Sequence, residues 1–236
     1  VSYTLVNAYD ARTSTATLLN LNDVLRKESE QKLKEEKEWI KSKYPEYKLD
    51  LVSYSIFGSP IDAINELVNK NESNLVIMGT KGVTGIEAVL FGSVAASVIR
   101  AKIAPVISVP PNYKFLGLKE IIYASDWKSI NSTATIEPIV KLQQQFNSRV
   151  TVLSVQNNRT IIEKEIKKLN ADHVIFTTSE DTDIVDLITL YCDKKNADLL
   201  VLHPRNSNFF DRLFHKSISN KLVQQAHLPI LSLEKD

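Results

Sequence analysis

Residues 74–79 read NLVIMG, and residues 198–203 read DLLVLH. Each stretch contains four consecutive apolar residues, which predicts a short strand buried on both faces. Strands of this kind are typical of parallel sheets that helices cover on both sides. The two stretches therefore indicate an α/β fold and, because they resemble each other, an internal repeat.

The segments that follow the two stretches keep the same spacing. Pro105 lies 26 positions after Gly79, and Pro229 lies 26 positions after His203. A serine precedes each proline by 12 positions, and the shift between the copies is 124 residues throughout. A repeat this regular favours duplication of one structural unit.

Predicted strands alternate with predicted helices along the whole chain, which argues for βαβ crossovers and a parallel sheet. Ser59 and Pro60 open one helix, with Ser59 suited to the N-cap and Asp62 to the helix dipole. The predicted strands are 3–9, 49–56, 75–78, 106–109, 120–125, 149–155, 173–178, 198–202 and 228–233. The predicted helices are 22–43, one from 59, 93–102, 130–146, 160–169, 182–195 and 217–226.

The segment PPNYKFLG at 110–117 suits a linker, so we predict two domains, 1–111 and 117–236. The second domain has five predicted strands and the first has four, because the strand and helix at 120–146 have no counterpart before Val1. We expect the first domain to begin at its own second strand. The open sheet edge that results would favour strand swapping or association with a partner.

Composition narrows the classes of function. The chain has 236 residues and a formal net charge of +1, so nothing in the overall charge favours a nucleic acid or an acidic membrane as a partner. The single cysteine, Cys192, rules out an internal disulfide and favours a reducing, cytoplasmic location, and we expect it in the core. We find no apolar run long enough to span a membrane and no signal peptide. The four histidines lack metal-ligand spacing, so we predict no metal site.

A glycine-bearing loop follows the first apolar stretch and carries the candidate chemistry. Gly79, Lys81 and Gly82 come directly after the strand, and Gly92 and Ser93 open the next helix. Phosphate oxygens can approach backbone N–H groups closely where no Cβ intervenes, and a helix N-terminus offers unpaired donors. The loop matches neither the Walker A pattern nor the Rossmann glycine pattern.

The order of these residues is glycine, two residues, glycine, nine residues, then Gly-Ser, and it resembles the motif of the universal stress protein family. The resemblance covers nearly the whole chain in two copies. It implies two tandem flavodoxin-like or Rossmann-like α/β units of the adenine nucleotide alpha hydrolase type, with parallel five-stranded sheets and a truncated first unit. In that family the motif marks members that bind ATP, with or without Mg²⁺, and act in stress response.

The resemblance also implies a set of nucleotide-binding residues: Ala8, Met78, Gly79, Lys81, Gly82, Gly92, Ser93 and Val94. In the family an Asp at the end of the first strand contacts adenine. The second half has that residue as Asp126, whereas its phosphate loop is degenerate, with His203, Asn206 and Lys216 in place of glycines. An alternative interpretation is that the glycines serve only as turn residues.

Three functional hypotheses remain open: a module that binds adenine nucleotides, a slow ATPase, and a scaffold that acts through protein contacts without nucleotide. We identify no catalytic residue, so an enzymatic role would be at most weak ATP hydrolysis. In the family such units pair through their last strands, here Val106–Val109 and Ile230–Leu233, which predicts an intramolecular pseudo-dimer. Two chains could then associate as a homodimer. Phe209, Phe210 and Phe214 could plug the degenerate pocket or form a contact surface.

Overall fold

The computed structural model describes residues 2–10, 18–70, 74–80, 92–125, 136–154, 167–175, 184–203 and 228–233. The chain divides into two compact units, Val1–Asn74 and Leu75–Asp236. The division between these units lies within the first predicted repeat. The predicted domains 1–111 and 117–236 therefore remain a hypothesis about sequence duplication.

The first unit contains two parallel strands and two helices, in the order β1 (Ser2–Tyr9), α1 (Leu18–Lys43), β2 (Asp50–Phe57) and α2 (Pro60–Asn69). Strand β1 pairs with β2 along its whole length, from Ser2 opposite Asp50 to Tyr9 opposite Phe57. Helix α1 connects them and contacts both strands. A parallel pair joined by a helix is the βαβ unit that the alternating sequence pattern predicted.

Helix α2 begins as predicted, at a capping box. The backbone N–H of Asp62 donates to the Ser59 hydroxyl at 3.2 Å, and the backbone N–H of Ser59 donates to the Asp62 carboxylate at 3.2 Å. Pro60 occupies the first turn. The side chains of Ser59 and Asp62 thus accept hydrogen bonds from backbone N–H groups that have no partner within the helix.

The second unit contains a seven-stranded sheet in the order β3-β4-β9-β8-β5-β6-β7. Neighbouring strands are parallel except β4 and β9, which are antiparallel. The elements are β3 (Val76–Gly79), α3 (Ser93–Ala101), β4 (Val106–Val109), β5 (Glu120–Ser125), α4 (Glu137–Phe146), β6 (Arg149–Ser154), β7 (Asp172–Ile175), α5 (Ile184–Lys195), β8 (Leu199–Leu202) and β9 (Ile230–Ser232).

The two segments that were expected to pair as last strands do pair. Val106 lies opposite Ser232 and Ser108 opposite Ile230, and the buried Ser108 hydroxyl donates to the Ile230 carbonyl at 3.0 Å. This antiparallel contact joins strands of the two sequence halves in one sheet. It explains why β3 and β4 lie in one seven-stranded sheet with the five strands of the second half.

The core of the second unit lies around β5. Ile121, Tyr123, Val152, Val201 and Leu231 are fully buried and belong to one apolar cluster. Strand β3 lies at the edge of the sheet, and the Ile77 side chain is 64% exposed. The prediction that residues 75–78 form a strand buried on both faces is therefore wrong. An apolar run is buried only if neighbouring elements cover it, and β3 has a strand on one side.

Candidate functional site

The described ends of the glycine loop are joined by hydrogen bonds at the carboxyl end of β3. The buried Thr80 donates its backbone N–H to the Val109 carbonyl at 2.9 Å, which continues the pairing of β3 with β4. The Gly92 N–H donates to the Thr80 carbonyl at 2.6 Å. Thr80 therefore holds the start of α3 beside the end of β3.

Helix α3 begins at Gly92 without a side-chain cap. Gly92 is the N-cap, no side chain of the described residues accepts a hydrogen bond there, and the first intrahelical bond runs from the Ala96 N–H to the Gly92 carbonyl at 3.0 Å. The N–H groups of the first turn have no partner within a helix, and the helix dipole gives this end a partial positive charge. Ser93 is exposed and Val94 is 49% exposed, so an acceptor from solvent can reach this turn.

The starts of α2 and α3 differ in what satisfies their donors. At α2, the Ser59 hydroxyl and the Asp62 carboxylate accept from the backbone. At α3, the N-cap is a glycine and has no side chain that could accept. Among the described residues, side chains therefore cap the start of α2, whereas the start of α3 is of the kind that can bind an anion.

The backbone does not require glycine at the ends of the loop. Gly92 has φ −66° and ψ 163°, which any residue adopts. The glycines with positive φ in the described part of the chain are Gly58 and Gly117, so Gly79 is not held in a left-handed conformation either. A left-handed backbone conformation is therefore not the reason for glycine at either position.

The structure locates six of the eight predicted binding residues. Met78 is half-buried in β3, Gly79 is exposed at its end, and Gly92, Ser93 and Val94 form the start of α3. Ala8 is half-buried in β1 and belongs to the first compact unit, whereas the other five described residues belong to the second. Lys81 and Gly82 lie outside the described residues.

A sequence model described as "Universal stress protein family" matches residues 1–110 and 162–233, which is most of the chain. The chain belongs to the universal stress protein family. A universal stress protein of Methanocaldococcus jannaschii is 33% identical over 89 residues, covering 38% of this chain and 50% of that protein. The chain thus spans about half the length of the curated relative that it matches.

Two solved structures have the same fold as this universal stress protein. One is a universal stress protein from Archaeoglobus fulgidus, with a TM-score of 0.70 and 15% identity, covering 99% of this chain and 87% of that one. The other is a functionally unknown protein from Pseudomonas aeruginosa, with a TM-score of 0.54 and 14% identity, covering 100% and 83%. At these identities the similarity shows the fold alone.

The second half of this family member differs at the position equivalent to Gly79. His203 follows β8 and is buried, whereas Gly79 is exposed. A side chain thus fills the backbone position from which the phosphate loop would start. The other predicted features of this half, namely Asp126, Asn206, Lys216, Ser217 and the three phenylalanines at 209, 210 and 214, lie outside the described residues.

A partly buried polar pair in the second unit was not predicted from the sequence. The Ser154 hydroxyl and His173 Nε2 are 2.8 Å apart, and burial lowers the pKa of His173. Parallel pairing of β6 with β7 creates this contact, and no local motif in the sequence signals it.

Cys192 is in the core as expected, and burial together with Asp193 raises the pKa of its thiol to about 12. Such a thiol is not a reactive nucleophile at neutral pH.

In the described ranges, no cluster of three or more His, Cys, Asp or Glu side chains could hold a metal ion. Within the same ranges, no helix combines the length and apolar character needed to cross a membrane.

Proposed function

We propose that this universal stress protein binds an adenine nucleotide, with ATP as the expected ligand, and that the loop at 79–93 holds the phosphates. The observation that carries the proposal is the uncapped start of α3 at Gly92, next to the exposed end of β3 at Gly79. The backbone donors of a helix start and its partial positive charge, at one exposed point, are the features that a phosphate group requires.

The contacts of Thr80 support this function. Because Thr80 bonds to both Val109 and Gly92, the helix start is held against the sheet before any ligand arrives. A preformed donor set loses little conformational entropy on binding. Lys81 would add a point charge to the phosphates, Met78 would flank the ribose, and Ala8 would lie near adenine, as the family resemblance implies. Mg²⁺ could accompany the triphosphate, with phosphate oxygens as its main ligands.

The domain arrangement belongs to the same proposal. We infer that the chain is a tandem repeat in which β4 and β9 form the contact of a pseudo-dimer. Equivalent backbone hydrogen bonds in the two halves support this inference. The Val76 N–H donates to the Pro105 carbonyl at 2.9 Å, and 124 residues later the Leu200 N–H donates to the Pro229 carbonyl at 3.1 Å. A stress-response or sensing role then follows from family membership and nucleotide binding together.

Replacement of Gly92 by Asp tests nucleotide binding without removing the helix. Aspartate is a good N-cap and complements the helix dipole, so α3 should be retained. Its carboxylate would occupy the same N–H groups and repel phosphate. We expect calorimetry to show ATP binding by the wild-type chain and a loss of at least roughly tenfold in affinity for Gly92→Asp.

The matched control is Asn74→Asp, which adds the same charge at an exposed residue just before β3. It should leave ATP affinity within about threefold of wild type, because Asn74 is exposed and precedes β3, whereas the glycine loop follows β3. Roughly 10 Å or more of strand then separates the new charge from the loop, and solvent ions screen it. Absence of ATP binding at millimolar concentration, or equal effects of the two substitutions, would rule out the proposed site.

A further inference from the structure

A polar cleft lies within the first unit, between helix α1 and strand β2. Its volume is about 310 Å³. The described residues that line it are three lysines, two glutamates and one serine: Glu30, Lys34, Lys37, Glu38, Lys41 and Ser53. Pockets that hold small molecules have volumes of roughly 300 to 1,000 Å³. The cleft is therefore large enough for a small ligand, and its lining is charged.

The three lysines of the cleft form a row along α1. Lys34, Lys37 and Lys41 are three and four residues apart, which places them on one side of the helix. They extend over seven residues, or roughly 10 Å along the helix axis. Lys37 and Lys41 have the spacing at which like charges on a helix repel each other. We call these three residues the cleft lysines.

Other cations of α1 are paired, whereas the cleft lysines are not. Arg26 lies 3.8 Å from an Asp23 carboxylate oxygen and 3.9 Å from a Glu30 carboxylate oxygen, and Lys32 lies 2.6 Å from Glu28. Within the part of the chain that the structure describes, none of the cleft lysines forms an ion pair. Their repulsion is thus not relieved by a described carboxylate.

The two glutamates of the cleft reduce its positive charge but do not cancel it. Three lysines and two glutamates leave a net charge of +1 in the lining. Arg26 pairs with Glu30 and raises this local charge to +2. The cleft therefore attracts an anion, and the exposed carboxylate of Glu38 opposes that attraction.

The floor of the cleft supplies a hydroxyl group. The Ser55 hydroxyl donates to the buried Ser29 hydroxyl of α1 at 2.7 Å, so this face of β2 packs against the helix through polar groups. Ser53 lies two residues earlier on the same face of β2 and is half-buried. A hydroxyl can donate one hydrogen bond to an anion that the lysines attract.

We propose that this cleft binds a linear oligophosphate, through residues separate from those of the glycine loop. A row of three ammonium groups matches a chain of negative charges, and lysine binds phosphate as a point charge. No aromatic or apolar side chain is among the described lining residues, so the cleft has no surface on which a base would stack. It therefore recognises the phosphate chain and not a nucleoside.

Inorganic tripolyphosphate is the direct probe, titrated by calorimetry into the full chain carrying Gly92→Asp, so that the loop is blocked. We expect saturable binding that weakens as the salt concentration rises, because the lysines are largely exposed. Combining Lys37→Gln with Lys41→Gln should weaken binding by roughly fivefold or more, since each exposed ion pair contributes modestly by itself.

The matched control combines Lys32→Gln with Lys43→Gln. Each of these exposed lysines is two residues from a cleft lysine, so it lies on a different side of the same helix. The control removes the same charge from α1 and should leave the affinity for tripolyphosphate within about twofold of its parent chain. Circular dichroism should show all four substitutions compatible with folding. Repeating the comparison without Gly92→Asp keeps the test valid if that substitution prevents folding.

Removal of a carboxylate from the cleft should have the opposite effect. Glu38→Gln takes away a negative charge from the lining and should strengthen tripolyphosphate binding by about twofold to threefold. Glu36→Gln removes an equal charge from an exposed residue of α1 outside the lining and should have no such effect. A loss of affinity in Glu38→Gln would contradict the proposed occupant.

ATP distinguishes a free oligophosphate from a nucleotide as the ligand of the cleft. In the Gly92→Asp chain, ATP should bind no more tightly than tripolyphosphate, and the paired lysine substitutions should weaken both. Tighter binding of ATP by roughly tenfold or more would assign the cleft to a nucleotide and overturn the proposal. Failure of ATP to bind the unsubstituted loop would contradict the proposed function and leave the tripolyphosphate result unaffected.

Two other results would also overturn the proposal. One is the absence of saturable binding at millimolar tripolyphosphate. The other is equal weakening by the cleft substitutions and by the control substitutions, because binding would then depend on the overall charge of the helix and not on the cleft.

Discussion

Strands β3 and β8 have nearly the same sequence pattern and the same pairing on one side, yet they differ in burial. All four residues of β8 are buried between β5 and β9, whereas β3 pairs with β4 and leaves Ile77 exposed at the sheet edge. The apolar run therefore determines that a strand forms. Neighbouring strands determine whether it belongs to the core.

The segments that follow the two strands also differ, in the residues at their starts. After β3 the chain places glycine at the exposed sheet end and at the helix start, and after β8 it places the buried His203. The half whose strand is fully buried has a histidine in place of the first loop glycine, and the half whose strand lies at the edge of the described sheet has glycine at both positions.

The largest expected effect is a difference in the free energy of unfolding between truncations of Val201 in β8 and Ile77 in β3. Val201→Ala should lower the free energy of unfolding by roughly 2 to 3 kcal/mol, because it removes buried methyl groups and leaves a cavity. Ile77→Ala should change it by less than about 0.5 kcal/mol, since the side chain is mostly in water. Chemical denaturation of both variants measures the difference. Similar losses would mean that Ile77 is covered in solution and that the comparison of the two strands is invalid.

A smaller effect is expected at the residues that precede the strands. Asp198→Ala removes the acceptor for the backbone donors of Lys119 and Glu120 at the start of β5 and should lower the free energy of unfolding by about 1 to 2 kcal/mol. Asn74→Ala, at an exposed equivalent residue, should cost less than about 0.5 kcal/mol. Thermal unfolding of the pair tests this. A large loss for Asn74→Ala would show that its side chain already holds a structural partner.

The smallest expected effect is a pH dependence of stability that arises from His173 in the second unit. Burial lowers the pKa of His173, so protonation favours the unfolded chain. Stability should change little above the ordinary histidine value of about 6.5 and should fall as the pH drops through it toward the folded pKa. Gln at this position cannot be protonated, so His173→Gln should reduce the slope of the unfolding midpoint between pH 7 and 5. An unchanged slope would assign the pH dependence to other groups.

Several local features could be predicted from sequence because short-range chemistry determines them. The capping box at Ser59 and Asp62 follows from residues three apart, and the end of β3 follows from an apolar run that stops at Gly79. The pairing of Val106–Val109 with β9 was also predicted, but through family resemblance. The Ser154–His173 contact was not, because it depends on the register of two strands separated along the chain.

By itself, the sequence determined the family, the alternation of strands and helices, the repeat of 124 residues, and the glycine positions of the candidate phosphate loop. These properties depend on residue type and spacing, which act locally along the chain. Only the tertiary structure decided that β3 lies at the edge of the described sheet, that Ile77 is exposed, and that Gly92 is the N-cap of α3. These depend on which groups meet in space, since burial and hydrogen-bond satisfaction belong to pairs of elements and not to single segments.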